Sequence, residues 1–291
     1  MPRLDLVCVG DVMLDVHVAS GALARGGDVH GRVAIRPGGT SANAAVWAVW
    51  AGASAAVIAS VGDDLAGALC IGAVADRGVD VGGVVRRPSP TGVMVVMTED
   101  DERSMVADRG ANAHLGAADV EGIEAGAVLV SGYLFLQEPG HDVAVAAIGG
   151  VRTPLLAVEA ASWPLLETFG VERFFEETAP CDVVLANEHE ARVLTGIDGD
   201  DAARVLGARY RFAAVKRAAN GATLIADGRL VAADREVIQE VEPTGAGDAF
   251  DGVLLSSLAR GRAPEEALAL ACHAGALVAA SHSTWPDETG A

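Results

Sequence analysis

An α/β fold with a mostly parallel, doubly wound sheet is what this sequence predicts. Two observations carry the expectation. Short Val-rich runs alternate with helix-length segments along the chain, the pattern of βαβ units with helices on both faces of a sheet. A length of 291 residues with 51% hydrophobic side chains suffices for a large core, burying roughly 75% of the surface an unfolded chain exposes.

Strands are expected at 5–9, 55–60, 127–131, 154–158, 182–186 and 212–215. Helices are expected at 41–51, 64–77, 141–150, 164–177, 188–194 and 200–210, and one more from about Ala246 to Arg260. Ligands of such a sheet sit at the carboxyl ends of its strands. Residues 12–36 and 91–107 lack helical periodicity. The second segment reads Gly92-Val93-Met94-Val95-Val96-Met97, a polar turn at Glu99-Asp100-Asp101-Glu102, then Ser104-Met105-Val106. That is a β-hairpin. Two extended excursions from one core are expected to pair into a small sheet over a cleft, which is a lid. No linker or repeat divides the chain, so residues 1–291 are expected to form one domain with a lid from about 12–36 and 91–107.

With 21 basic and 40 acidic residues the formal charge is -19, which argues against a nucleic-acid groove or an anionic membrane surface. The charge-free stretches 37–62 and 267–286 are Ala/Gly-rich and interrupted by polar residues such as Asn43, Ser60, His273 and His282. They read as buried elements of a soluble protein rather than membrane spans. Arg3, Asp5 and Asp11 around a short apolar run do not make a signal peptide. Cys8, Cys70, Cys181 and Cys272 are far apart, as expected of reduced thiols in the cytoplasm. The seven histidines show no zinc spacing. Trp47 and Trp50 fall one turn apart on an apolar helix and read as core.

Two glycine-rich helix starts carry the chemistry. In Pro243-Thr244-Gly245-Ala246-Gly247-Asp248-Ala249-Phe250 the small residues leave backbone N–H groups uncovered at a helix N-terminus, an anion site. Asp248 stands in the first turn beside it, either as a base toward a hydroxyl or as a capping residue. In Gly38-Gly39-Thr40-Ser41-Ala42-Asn43 the glycines permit close approach of a ligand, and Asn43 offers both a donor and an acceptor to a polyol. An ordinary capped helix has the same pattern. Neither a Walker A motif nor G-x-G-x-x-G occurs, and Lys216, the only lysine, lacks the glycine spacing of the former.

Together these segments resemble the PfkB/ribokinase family of carbohydrate and nucleoside kinases, in order and over nearly the whole chain. Val9-Gly10-Asp11-Val12-Met13-Leu14-Asp15 is similar to the family's first strand and substrate aspartate, which falls on Asp15 with Asp11 beside it. Residues 38–67 resemble the first signature, with Gly38, Gly39 and Asn43 at sugar-binding positions. Thr91-Gly92 and Gly110-Ala111-Asn112-Ala113 fit the lid hairpin and its sequel. Asn187-Glu188-His189-Glu190 resembles N-x-x-E near magnesium and the phosphates. Pro243 to Phe250 resembles the second signature, with Gly245, Ala246 and Gly247 as anion hole and Asp248 as catalytic base.

The resemblance implies a ribokinase-like three-layer α/β/α sandwich with a β-lid, binding ATP and Mg²⁺ at the carboxyl edge of the sheet. It implies a kinase acting on a hydroxyl of a small sugar or nucleoside, with Glu190 reaching the metal through water. Lys216 and Gly221 fall in its nucleotide loop, where Lys216 meets either a phosphate or a structural carboxylate. Ala218 stands where many members have glycine. Glu242 stands where many have Asp at a site for a monovalent cation such as K⁺, and Glu moves the carboxylate outward. The region 158–162 lacks the D-x-N-x-R of sugar-acid kinases. Arg109 is expected either to contact substrate from the lid or to pair at the surface with Asp108 or a neighbour. Trp285 is expected either to stack on a base or to cover the C-terminal helix. Two alternatives stand beside the kinase: a catalytically silent sugar- or nucleoside-binding regulator, and a kinase of a phosphorylated sugar with Arg25, Arg32, Arg36 and Arg109 as its cationic candidates. The lid's open edge suggests a homodimer.

Overall fold

Along β1 (Leu4–Val9) the side chains alternate between two apolar layers: Leu6 and Cys8 enter one, Val7 and Val9 the other. That two-residue period places a core on each face of a sheet. The computed structural model describes residues 3–21, 26–99, 102–234 and 236–286. After β1, the chain runs through β2 (Met13–Ser20), β3 (Gly31–Gly38), α1 (Thr40–Trp50), β4 (Ala55–Gly62), α2 (Leu65–Asp76) and β5 (Asp80–Arg87). The hairpin β6 (Val93–Glu99) and β7 (Glu102–Asp108) follows, then β8 (Ala125–Val130), α3 (Gly132–Phe135), α4 (His141–Gly150) and β9 (Leu156–Glu159). Next come α5 (Trp163–Phe169), α6 (Val171–Glu177), β10 (Val183–Asn187), α7 (Glu188–Thr195), α8 (Gly199–Gly207) and β11 (Phe212–Lys216). The chain closes with β12 (Ala222–Ala226), β13 (Arg229–Ala233), α9 (Ala246–Ala259) and α10 (Pro264–Ala279).

Among the described residues, nine strands form the central sheet in the order β13-β12-β11-β10-β9-β8-β1-β4-β5, and every pair is parallel except β11–β12 and β12–β13, so that only β12 runs against the rest. Helices α1, α2, α9 and α10 pack on one face and α3 to α8 on the other. This is the expected three-layer sandwich. A second sheet, β3-β2-β6-β7, joins the two excursions through the parallel pair β2–β6, so the two excursions pair into a small sheet as expected. No helix among the described residues is long and apolar enough to cross a membrane. The four cysteines are free, with Cys8, Cys70 and Cys181 buried and Cys272 half-buried.

The second sheet is rooted in the core by polar contacts. Asp64 caps α2 by accepting from the Gly67 amide at 2.7 Å, and it also accepts from the Thr91 hydroxyl and amide at the start of the hairpin. Those bonds, the Thr91 hydroxyl first, hold its carboxyl below the usual range. Asn112 donates to the Val12 carbonyl at 3.0 Å and accepts from the Val12 amide at 3.1 Å, bracing the turn between the two sheets.

Several boundaries differ from expectation, each for a local reason. The helix expected at 164–177 breaks in two at Gly170, whose φ of +96° only glycine adopts readily. The strand expected at 154–158 runs from Leu156 to Glu159 and so carries a carboxylate into its last position. The helix expected at 200–210 ends at Gly207. Strands β5, β12 and β13 were not expected.

Candidate active site

One group of candidates forms where β1 gives way to β2. Asp15 is buried on β2, opposite Arg36 and Met94 in the lid sheet. A side chain at Gly38 would collide with its carboxylate. Gly39 caps α1 with φ +100°, and any Cβ there would run into the Asp11 carbonyl. These two glycines therefore let the Asp15 and Asp11 segment lie against the start of α1. Arg109 does not pair with Asp108 at the surface. It is largely buried and donates to Asp11 at 2.7 Å, while its Nε and Nη1 have no hydrogen-bond partner among the described residues.

The base candidate sits at the head of α9. Gly245 adopts φ +85°, which turns the chain sharply into the helix. The Ala246 amide donates to the Pro243 carbonyl at 3.1 Å, so of the expected anion-hole group it is already engaged. The Gly247 and Asp248 amides belong to the first turn, where an α-helix offers no internal acceptor, and the helix dipole adds positive potential there. Asn43 on α1 donates its Nδ2 to Asp248 Oδ2 at 2.7 Å. Enclosure pushes the Asp248 carboxyl up to about 7; the Asn43 bond and Lys216 oppose the rise, and Asp251 adds to it. Burial, with the charge of Asp248, likewise pushes Asp15 up to about 7.

A second group of candidates lies at the carboxyl ends of β9, β10 and β11. Asn187 and Glu190 cap α7 reciprocally: Glu190 accepts from the Asn187 side chain at 2.6 Å and from its backbone at 2.8 Å, and Asn187 accepts the Glu190 amide at 2.9 Å. Burial raises the Glu190 carboxyl, against Lys216 and these bonds. Lys216 makes an ion pair, its Nζ 2.7 Å from Asp251 Oδ2. It also borders the anion site, because a methyl at Gly247 would be 3.4 Å from that ammonium. Burial works to lower the Lys216 pKa, but Asp251, Glu159 and Glu190 outweigh it and hold the ammonium charged. Burial also raises Glu159, on β9, well above the usual carboxylate range. In the following loop Ala218 has φ +41° and Gly221 φ +75°, so Ala218 occupies a conformation that favours glycine.

These donors suit a hard cation held mainly by others. Among the described residues no group of three His, Cys, Asp or Glu could cage a metal, and the buried oxygens of Glu190 are the chemistry that Mg²⁺ takes, one or two carboxylates alongside phosphates and water. Sequence reasoning missed Glu159 and Asp251. Asp251 follows Asp248 by one helical turn, which was a readable signal; Glu159 had none.

A C-terminal segment closes the site from outside. Trp47 donates its Nε1 to the Thr284 carbonyl at 2.8 Å, and Trp285 donates its Nε1 to Asn43 Oδ1 at 2.7 Å. Arg77 reaches the Pro286 carbonyl and Arg36 the His282 carbonyl. Trp285 is buried in the core layer of α1 and α9, so its ring is packed rather than open to a base. Of the arginines considered for an anionic acceptor, Arg36 and Arg109 are engaged as described, Arg32 is exposed on β3, and Arg25 lies outside the described residues.

The geometry brings Asp15, Gly38, Gly39, Asn43 and Asp248 together on one side of the α9 terminus, with Lys216 and Asp251 on the other. Known proteins resemble this chain in sequence and fold. The chain is 29% identical over 274 residues to fructokinase-1 of Oryza sativa subsp. japonica, covering 86% of this chain and 84% of the relative. It superposes on adenosine kinase from Sinorhizobium meliloti with a TM-score of 0.85 at 23% identity, covering 98% of this chain and 96% of the other. A sugar kinase from Pyrococcus horikoshii in complex with ATP superposes with a TM-score of 0.77 at 21% identity, over 96% and 94% of the two chains. The model of the pfkB family carbohydrate kinases matches residues 3–289, both glycine-rich helix starts included, and the chain belongs to that family.

Proposed function

We propose that the protein transfers the γ-phosphoryl group of Mg·ATP to a hydroxymethyl group of a small sugar or nucleoside. One observation carries the reading: Asp248, enclosed and raised to about 7, stands directly beside the open amides at the head of α9. A base poised near neutrality accepts the acceptor's hydroxyl proton as its oxygen attacks phosphorus. The Gly247 and Asp248 amides stabilise the charge spread over the transferring group, while Gly245 and Ala246 shape the turn that presents them. Asp15 and Asn43 orient the acceptor, whose approach Gly38 and Gly39 permit. The Asp11–Arg109 pair borders it from the lid root. Lys216 faces the phosphates and the loop closed by Gly221 lies along the nucleotide. Magnesium, when bound, neutralises phosphate charge, and Glu190 would hold it through water.

Lid closure excludes water that would otherwise hydrolyse ATP. We read residues 1–291 as one domain with this lid. Exposed Val33 and Ile35 on β3 with Met105 and Val106 on β7 support a homodimer through the lid. The free thiols support a cytoplasmic protein. The test is ADP release with Mg·ATP against ribose, fructose, adenosine, pseudouridine, 2-keto-3-deoxygluconate and fructose 1-phosphate. Saturable turnover with one acceptor is expected. Binding of a sugar or nucleoside without ADP release would overturn the reading.

A further inference from the structure

The side-chain amide of Asn43 is two-faced, with an oxygen that accepts and an NH₂ that donates. Either end fits the same space, so an amide beside a catalytic carboxylate needs something to choose its orientation. Here the choice is made from the C-terminal segment. The Trp285 indole N–H is a donor only, and at 2.7 Å it requires the Asn43 oxygen. The NH₂ is thereby turned to Asp248 Oδ2, also at 2.7 Å. The reverse orientation would set the amide oxygen against the carboxylate and leave the indole N–H buried without an acceptor, which is unfavourable on both counts.

The indole is itself fixed. Trp285 is 7% exposed, Arg77 lies 5.6 Å from its ring centroid, and its backbone carbonyl accepts from Ser283 Oγ at 2.9 Å. The neighbouring Thr284 carbonyl is pinned by Trp47. Trp285 is two hydrogen bonds from the base. We propose that Trp285 is a positioning residue, whose indole N–H locks the Asn43 amide so that it donates to Asp248.

The proposal rests on the reading of Asp248 as catalytic base. The groups that act on that carboxylate, or feel its charge, are Asp15 from β2, Lys216 from β11, Asp251 on α9 itself, Cys8 on β1, Glu159 on β9 and Tyr133 on α3. Asn43 is the hydrogen-bond donor among its neighbours that favours the ionised form. Loss of the lock weakens that bond, so the Asp248 pKa rises and activity disappears at a higher pH as the solution is acidified.

The experiment is the pH dependence of kcat in the wild type and in Trp285→Phe, which keeps an aromatic ring and removes the N–H. The acidic limb is expected to move up by about one pH unit. In an Asn43→Ser background, Trp285→Phe should move it no further. A limb that superposes on the wild type overturns the proposal. Should Trp285→Phe fail to fold, the ¹⁵N–¹H resonance of the Trp285 indole in the intact wild-type protein decides. It is expected to titrate near pH 7 and to stay still in Asp248→Asn; a resonance that does not titrate in the wild type overturns the proposal. Full turnover in Asp248→Asn would instead remove the base reading, and an inactive Asp248→Asn with an unshifted Trp285→Phe would remove only the role of Trp285.

Discussion

Lys216 and Asp251 meet at 2.7 Å between Nζ and Oδ2, and the ammonium is the counter-charge that Asp251, Glu159 and Glu190 share. Asp251 is 1% exposed and Glu159 8%. Removing one member of such a buried group leaves charge without compensation, typically at about 3–5 kcal/mol.

Lys216→Met should therefore lower stability by about that amount and reduce turnover. Adding Asp251→Leu should restore part of the stability and none of the turnover. Urea midpoints for the two variants check this, and a single variant as stable as the wild type would contradict it.

Burial, with the charge of Asp248, pushes the Asp15 carboxyl up to about 7 from its ordinary 3.8. Between those values the folded state binds a proton that the unfolded state does not. The stability that this proton contributes is complete below about pH 4 and is lost as pH rises through 7. Asp15→Asn, which cannot ionise, should gain stability relative to wild type between pH 5 and pH 8 while losing acceptor binding. Parallel melting curves at pH 5 and pH 8 measure the difference; a constant offset would contradict it.

Gly252 lies where α9 crosses α1, and a Cβ there would collide with the Ala44 carbonyl. That contact sets the distance between Asn43 on α1 and Asp248 on α9. Gly252→Ala should cost about 1–3 kcal/mol by overpacking and lower kcat although residue 252 faces no substrate. Chemical denaturation with steady-state kinetics on the same preparation tests both halves.

What was legible in the sequence was whatever is encoded locally. The Val-rich runs ending at Val9, Ala186 and Val215 announced parallel strands because their period and their flanking helices are contiguous in the chain. The two glycine-rich helix starts were legible for the same reason. Strand β5 was obscured by Gly82 and Gly83, the second of which is small because a Cβ there would meet Ile58. The hairpin of β12 and β13 did carry a readable signal, Asp227-Gly228, whose φ values of +48° and +78° are those of a tight turn. The site's finer wiring was not legible. Trp285 meets Asn43 across 242 residues and Lys216 meets Asp251 across 35, and no local pattern encodes such pairings. Arg109 showed the same limit, since its partner Asp11 lies 98 residues away.

The central claim is that Asp248 takes the acceptor's proton. Its most direct test is kcat for ADP release in Asp248→Asn, with the acceptor that the wild type uses and with folding verified by thermal melting. The account predicts a fall of roughly 10²–10⁴-fold. Turnover at the wild-type rate would contradict it.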